Sequence, residues 1–316
     1  MLNDIFQMLD PVAFWVGPFP IRWYALAYLA GFAAVAILFV RLSRRWKLRM
    51  DSDTVLTILV CVMFGVLIGA RLGYCLFYGN GYYLENPVEI LAVSKGGMSF
   101  HGGLVGAVIA GVVAARITRI PFLTLADMGA IAAPIGLFFG RCANFVNGEL
   151  WGAVTDLPWG VVFGGTAGTL PRHPSQLYEA VLEGLLLFLV LYLLSRKQPA
   201  RPRGTFLGVF LVWYAVCRFA LEFVRQPDAQ LGYLWGGWLT MGQCLSMPLL
   251  IAGICLLLWV HRHPLPQQGL PEEEPEEILG DDEGLLEELA EDAQDGQEQV
   301  PAEEPPVPIG ELQDRE

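Results

Sequence analysis

The apolar sequence LADMGAIAAPIGLFFG, residues 125–140, runs directly into GRCANFVNGELWG, residues 140–152. The first stretch predicts a membrane-spanning helix. The second brings an arginine, two asparagines and a glutamate within nine residues. Arg141 and Asn144 share a face if the helix continues, and the Asn-Gly pair that follows is a typical helix end. Charged residues at the edge of a bilayer favour a functional site, with an interfacial anchor as the alternative for Arg141 alone.

The composition is that of an integral membrane protein rather than a soluble one. Of the 316 residues, 54% are hydrophobic and 16% are charged. The net charge of −12 is unevenly distributed, because residues 265–316 carry 19 acidic residues and one arginine, which leaves +6 on the rest. The basic part suits anionic lipid. The acidic, proline-rich blocks of 265–316 predict a disordered tail.

Seven apolar stretches are long enough to cross a bilayer, and the basic residues between them indicate the orientation. Arginine and lysine are frequent in the loops after the first, third and fifth stretches, as in RLSRRWKLRM. This pattern predicts a periplasmic N-terminus and a cytoplasmic C-terminus. The predicted spans cover about 19–40, 55–77, 98–116, 123–140, 175–194, 205–224 and 238–260.

We therefore expect an all-α integral membrane protein with seven transmembrane helices. Residues 1–264 form the transmembrane domain, and 265–316 form an acidic, disordered cytoplasmic tail. The polar, glycine-rich segment 145–174 is too long for a tight loop, so it predicts a small periplasmic head.

Four polar residues recur along the predicted sixth span. Tyr214, Arg218, Glu222 and Arg225 lie within roughly 80° of one another at about 100° per residue. Arg218 and Glu222 are spaced to form an ion pair. Because charges in a bilayer are costly, this face should look into the protein or a wet cavity. The excess of arginine over glutamate leaves a guanidinium for an anion, although a purely structural ion pair is the alternative.

Three further patterns agree with a polar site. His101 begins an otherwise apolar helix in SFHGGLVGAVIAG, where a hydrogen-bonded interior histidine is the alternative. Tyr24 lies at the outer end of the first span, where it could belong to an aromatic belt. A polar face is also predicted on the fifth span, formed by Gln176, Glu179 and Glu183.

Together, GRCANFVNGELWG, SFHGGL, RHPSQLYE and the Tyr214–Arg225 face followed by QPDAQLG resemble bacterial prolipoprotein diacylglyceryl transferases. The resemblance covers about residues 15–262, and the acidic tail departs from it. It implies an inner-membrane transferase with seven helices. The thiol of the lipobox cysteine in a prolipoprotein signal peptide would attack the glyceryl carbon of phosphatidylglycerol. A thioether forms and glycerol 1-phosphate leaves, as the first step of lipoprotein maturation.

The resemblance also implies roles for individual residues. His101, Arg141 and Arg218 would be catalytic. Arginine suits phosphate through its bidentate fork, and histidine suits general-base chemistry, while an arginine–glutamate site that stabilises the thiolate remains an alternative. No cofactor, metal or nucleic-acid partner is expected beside the bilayer, the lipid and the prolipoprotein. Substrate binding would involve Arg141, Tyr24, Asn144, Asn147, Glu149, Gly152, Tyr214, Glu222 and Arg225.

Two other functions deserve comparison with the transferase. An intramembrane serine protease would use the serine and histidine of GMSFHGG, but Ser99 and His101 lie about 200° apart on a helix. An anion transporter would use the arginines as a pathway and often shows an internal repeat, which this sequence lacks.

Overall fold

The computed structural model describes residues 1–79, 81–93, 96–226, 232, 234 and 236–269, with Phe100 described by its backbone alone. The predicted tail from residue 270 onward and most of the QPDAQLG block lie outside the described residues. The chain begins with elements that the sequence did not predict. These are α1 (Leu2–Gln7) and an antiparallel hairpin of β1 (Val12–Val16) and β2 (Phe19–Arg22).

The remaining described elements are helical. A single continuous helix is formed by α7 (Ser175–Glu179), a π-helical segment (Ala180–Leu186) and α8 (Leu187–Ser195). A 3₁₀ turn (Pro87–Leu91) follows α4, and another (Gly165–Ala167) lies in the head. The other helices are α2 (Trp23–Arg45), α3 (Ser52–Tyr78), α4 (Tyr82–Glu85), α5 (Phe100–Thr118), α6 (Phe122–Val146), α9 (Thr205–Leu221) and α10 (Met241–Arg262).

Among the described residues, six helices are long and apolar enough to cross a membrane. They are α2, α3, α5, α6, the continuous helix Ser175–Ser195 and α10. The predicted sixth span is α9, a shorter apolar helix of 17 residues. Large apolar side chains point outward from these helices, with Leu29 66% and Leu56 59% exposed. Such surfaces suit lipid and not water, so the chain is a mostly helical integral membrane protein.

Glycines bring α3 and α5 into backbone contact. A Cβ atom on Gly106 would fall on the carbonyl oxygen of Gly65 and beside the Cα of Gly69. One turn further along the two helices, a Cβ atom on Gly73 would likewise collide with the Cα atom of Gly102. Small residues at helix interfaces allow this close approach within membranes. The packing fixes the first turn of α5, which carries His101.

Helix α6 lies at the centre of the described helices and extends six residues beyond the predicted end of the span, to Val146. Met128 and Ile131 on this helix are fully buried in the main apolar cluster, with Leu187 of α8 and Phe206 of α9. The polar residues after Gly140 therefore continue a helix whose buried part is anchored in the core.

At the opposite end of α6, the buried carboxylate of Asp127 joins three parts of the chain. It accepts hydrogen bonds from the backbone N–H groups of Gly204 (2.7 Å) and Leu207 (2.8 Å) at the start of α9. It also accepts one from the Gln267 amide at 2.6 Å. The described packing thus continues past the predicted domain boundary at residue 264, through Gly269.

Candidate functional site

The end of α6 forms one side of the candidate site. The predicted helix end is confirmed, because Asn147 is the C-cap and Gly148 follows with φ of 68°. The Glu149 carboxylate then folds back toward the helix. It accepts hydrogen bonds from the side-chain amides of Asn144 at 2.9 Å and Asn147 at 3.2 Å. The two asparagines therefore hold Glu149 in a defined position.

Two other helices meet this turn. The Tyr24 side chain of α2 interacts with Asn144 and Glu149, and its hydroxyl lies 3.3 Å from that of Tyr28. From α7, the Gln176 amide donates a 2.6 Å hydrogen bond to the Glu149 carbonyl oxygen. The structure thus brings the sequence-predicted residue Tyr24 to Asn144 and Glu149, which are more than 100 residues away in the chain.

Glu179 on α7 is the centre of an arginine–glutamate cluster, which we define as Arg141, Glu179, Arg218, Glu222 and Arg225. Arg141 Nε lies 2.7 Å from Glu179 Oε2. Arg218 Nη1 and Arg225 Nη1 lie 3.4 and 3.5 Å from Glu179 Oε1. Three arginines from α6, α9 and the turn after α9 therefore converge on one carboxylate.

Glu222 is the second carboxylate of this cluster. Its Oε1 lies 2.6 Å from Arg218 Nη2, so the predicted i, i+4 pair is confirmed. Its Oε2 accepts a 2.7 Å hydrogen bond from the hydroxyl of Thr240, the N-cap of α10. A side chain at Gly242 would collide with this carboxylate. The first residues of α10 therefore pack against the Glu222 carboxylate.

The arginines of the cluster are more accessible than the carboxylates. The side chains of Arg141, Arg218 and Arg225 are 17%, 15% and 10% exposed. Those of Glu179 and Glu222 are 1% and 4% exposed. The arginine side chains are thus the partly accessible members of the cluster, and the carboxylates are its buried members. Arginine is well suited to phosphate because its N–H groups form a planar fork.

The segment 145–174 also contacts the cluster, at Arg225. Gly152 pairs with Arg225 in an isolated antiparallel bridge, and Ala153 N donates to the Val224 carbonyl oxygen at 2.9 Å. On its other side, Gly152 N donates to the His173 carbonyl oxygen at 2.9 Å. A Cβ atom on Gly152 would collide with Val224 on one side and with His173 on the other. Glycine is therefore required where three backbone segments meet beside Arg225.

His101 and Tyr214 lie on other elements. His101 is in the first turn of α5 with an exposed side chain. Tyr214 lies one turn before Arg218 and stacks on Phe210 with ring centroids 5.8 Å apart. Ser99, the nucleophile of the protease alternative, is buried as the N-cap of α5 and accepts a hydrogen bond from Gly102 N.

The sequence pattern does not reveal Glu179 as the centre of the cluster. Its spacing predicts a polar face shared with Glu183, but the partners Arg141 and Arg218 lie on other helices. The four-residue spacing of two glutamates in an apolar helix was the available signal, because such residues are costly in a membrane unless they are paired. Within the described ranges, no group of acidic, histidine or cysteine side chains is placed to hold a metal ion.

The fold and the site together define the class of protein. It is a multi-helix membrane protein with an arginine–glutamate cluster at one end of its helices. The sequence model of the family described as prolipoprotein diacylglyceryl transferase matches residues 11–259. The chain belongs to this family.

Individual relatives agree over nearly their whole length. The phosphatidylglycerol–prolipoprotein diacylglyceryl transferase of Geobacter sulfurreducens is 49% identical over 257 residues, which cover 81% of this chain and 97% of the relative. The enzyme of the same name from Pseudomonas aeruginosa is 47% identical over 262 residues, with 83% and 97% covered. That from Methylocella silvestris is 47% identical over 262 residues, with 81% and 96% covered. These matches confirm the resemblance and give no support to the protease or the transporter.

Proposed function

We propose that the chain transfers the diacylglyceryl group of phosphatidylglycerol to the thiol of a prolipoprotein lipobox cysteine, and that the transfer takes place at the arginine–glutamate cluster. The observation that carries this proposal is the grouping of three accessible arginines around one buried carboxylate. A phosphodiester is a singly charged anion with oxygens that accept two N–H groups at once, which is the geometry that arginine prefers.

In this proposal Arg141 and Arg218 bind the phosphate of the lipid, and Arg225 supports them. The glycerol headgroup binds beside Glu149. The hydroxyl group of Tyr24 and the side-chain amides of Asn144 and Asn147 are its hydrogen-bonding partners there. Gly152 keeps the head close to Arg225, and Tyr214 and Glu222 fix the orientation of Arg218.

The proposed reaction is a displacement at carbon in which the arginines stabilise the leaving phosphate. The sulfur of the cysteine attacks the glyceryl carbon of phosphatidylglycerol, a carbon–sulfur bond forms, and the bond from that carbon to the phosphate oxygen breaks. The bonding electrons leave with the phosphate of glycerol 1-phosphate, whose charge the arginines neutralise. The thiol must lose its proton to become a good nucleophile. We assign the proton to His101, since histidine is the side chain that most often acts as a general base in enzymes.

The membrane location and orientation are part of the proposal. The basic loops favour an inner-membrane protein with a periplasmic N-terminus and a cytoplasmic C-terminus. The head and the cluster would then face the periplasm. Reporter fusions after Arg49 and Arg203 should be cytoplasmic, and a fusion at Gly165 should be periplasmic. A cytoplasmic signal at Gly165 would overturn the outward placement of the site.

A reconstituted assay tests the proposed function. Purified protein in liposomes is given phosphatidylglycerol with labelled acyl chains and a peptide that contains a lipobox cysteine. We expect the label on the peptide in a product that survives neutral hydroxylamine, because that reagent cleaves a thioester but spares the thioether to cysteine and the oxygen esters of the acyl chains. Glycerol 1-phosphate should be released at the same time. Cleavage of the peptide without lipid transfer would favour a protease. Anion movement without either reaction would favour a transporter.

A further inference from the structure

The buried carboxylate of Glu183 has no task in the reaction as proposed so far. Its side chain is fully buried, and neither oxygen accepts a hydrogen bond from the described residues. A carboxylate in such a place is stabilised only by nearby charges, and it takes up a proton when those charges are occupied elsewhere. Unlike Glu149, Glu179 and Glu222, Glu183 has no hydrogen-bond or ion-pair partner among the described residues.

The position of Glu183 places it against the cluster. It lies one turn after Glu179, in the π-helical segment. The segment is held close to α6, because a Cβ atom on Gly184 would collide with the backbone of Phe138. π-Helical segments are rare and often occur at functional sites. The titratable and charged groups that act on Glu183 are Glu179 of its own helix, Tyr214, Cys217 and Arg218 of α9, Arg141 of α6, and Arg225.

Glu183 shares its surroundings with the charges of the cluster. Three arginines face the two carboxylates of Glu179 and Glu222 in the ion pairs. An ionised Glu183 adds a negative charge beside the same arginines. When a phosphodiester enters, its negative charge competes with that of Glu183 for the same arginines. Two like charges this close in a poorly solvated site do not both stay ionised easily.

We propose that Glu183 binds a proton when the phosphate of phosphatidylglycerol enters the arginine–glutamate cluster, and releases it when the phosphate leaves. The proton comes from water or buffer, and no covalent bond of the protein changes apart from the carboxyl O–H. The cluster stays close to neutral with and without the lipid. Glu183 is a positioning residue that acts through the arginines, and this inference rests on the proposed function.

The test counts protons during lipid binding. Phosphatidylglycerol in detergent is titrated into the purified full-length chain by calorimetry, without peptide, in two buffers of different ionisation enthalpy. In a mildly alkaline buffer we expect uptake of about one proton per lipid bound, since the group binds a proton only in the complex. Glu183→Gln should bind the lipid with no such uptake. Asp156→Asn, which changes an exposed carboxylate of the head, should behave as the wild type.

The outcomes separate this inference from the proposed function. Equal proton uptake by wild type and Glu183→Gln, or none by the wild type, overturns the role of Glu183 while lipid transfer to the peptide still stands. A wild type that neither binds phosphatidylglycerol nor transfers it overturns both. If Glu183→Gln does not insert, infrared difference spectra of the wild type decide the matter. A new band of a protonated carboxyl group on lipid addition is expected, and its absence overturns the inference.

Discussion

At the scale of single residues, Glu179 determines where the arginines of the site can lie. Its carboxylate is 1% exposed and contacts Arg141, Arg218 and Arg225. A carboxylate so buried is stable only with its partners, and loss of one partner of a buried pair typically costs about 3–5 kcal/mol. The arginines are thus held in place before any lipid arrives, and binding does not have to order three long side chains.

His101 can be tested separately from the cluster. If it accepts the thiol proton, His101→Gln should lower turnover by about 10²–10⁴, the usual contribution of a general base. Binding of phosphatidylglycerol should change little, because the phosphate contacts are made by arginines. His261→Gln, which changes an exposed histidine at the end of α10, is the matched control. Turnover close to wild type between pH 6 and 8 in His101→Gln would remove it from proton transfer.

The sequence predicted most of the polar residues but not how they meet. Tyr214, Arg218 and Glu222 were placed on one helical face, and the pair of Arg218 and Glu222 formed as expected. Arg225 shares their predicted face, yet α9 ends at Leu221 and a bridge to Gly152 positions Arg225 instead. A contact between residues so far apart in the chain leaves no periodic signal, so the pattern of one helix could not reveal it.

At the scale of elements, the close packing of α3 against α5 depends on glycines at their interface. Gly106→Ala puts a methyl group against the carbonyl oxygen of Gly65, which cannot move without its helix. Overpacking of this kind typically costs about 1–3 kcal/mol. We expect a lower melting temperature in detergent and reduced turnover, because the first turn of α5 carries His101.

A control on α6 separates packing from the general effect of alanine. At Gly136 an added Cβ atom would meet nothing within 4 Å. Gly136→Ala should therefore leave the melting temperature unchanged or raise it slightly, since alanine favours helix over glycine. Identical melting temperatures for Gly106→Ala and Gly136→Ala would contradict the described contact of α3 and α5.

Element boundaries were the least predictable part of the fold. The apolar pattern alone ends the fourth span at Gly140, whereas the Asn-Gly pair predicts the helix end correctly: α6 continues to Val146, with Ala143, Asn144 and Phe145 buried. The apolar run that begins at residue 19 predicts the start of a span, but it first forms strand β2. Hydrophobicity alone does not distinguish a short hairpin from the first turn of a helix.

At the scale of the whole molecule, the segment after α10 ties distant parts of the chain together. The Gln267 amide donates to Asp127 at 2.6 Å and to the Arg201 carbonyl oxygen at 3.3 Å. A truncation after Gly269 keeps these bonds, whereas one after Pro264 leaves the buried Asp127 with one donor fewer. Loss of such a donor typically costs about 1–3 kcal/mol.

We therefore expect the chain truncated after Gly269 to melt and turn over like the full chain, and the chain truncated after Pro264 to melt at a lower temperature. Gln267→Ala in the full-length chain should reproduce much of that decrease. Equal melting temperatures for the two truncations would show that the segment after α10 does not contribute to stability.

The central claim is that the arginine–glutamate cluster is where the diacylglyceryl group is transferred. Lysine keeps the positive charge of Arg141 or Arg218 but loses the planar fork, so it tests the geometry and not only the charge.

The deciding measurement is turnover at saturating phosphatidylglycerol with a lipobox-cysteine peptide, for purified Arg141→Lys and Arg218→Lys. Each should insert normally and lose about 10²–10³ in turnover, by analogy with the loss of one donor that stabilises a developing negative charge. Arg116→Lys, which changes an exposed arginine in the last turn of α5, should retain wild-type turnover. If either cluster variant keeps more than about half of the wild-type turnover, that arginine is an interfacial anchor and the phosphate is bound elsewhere.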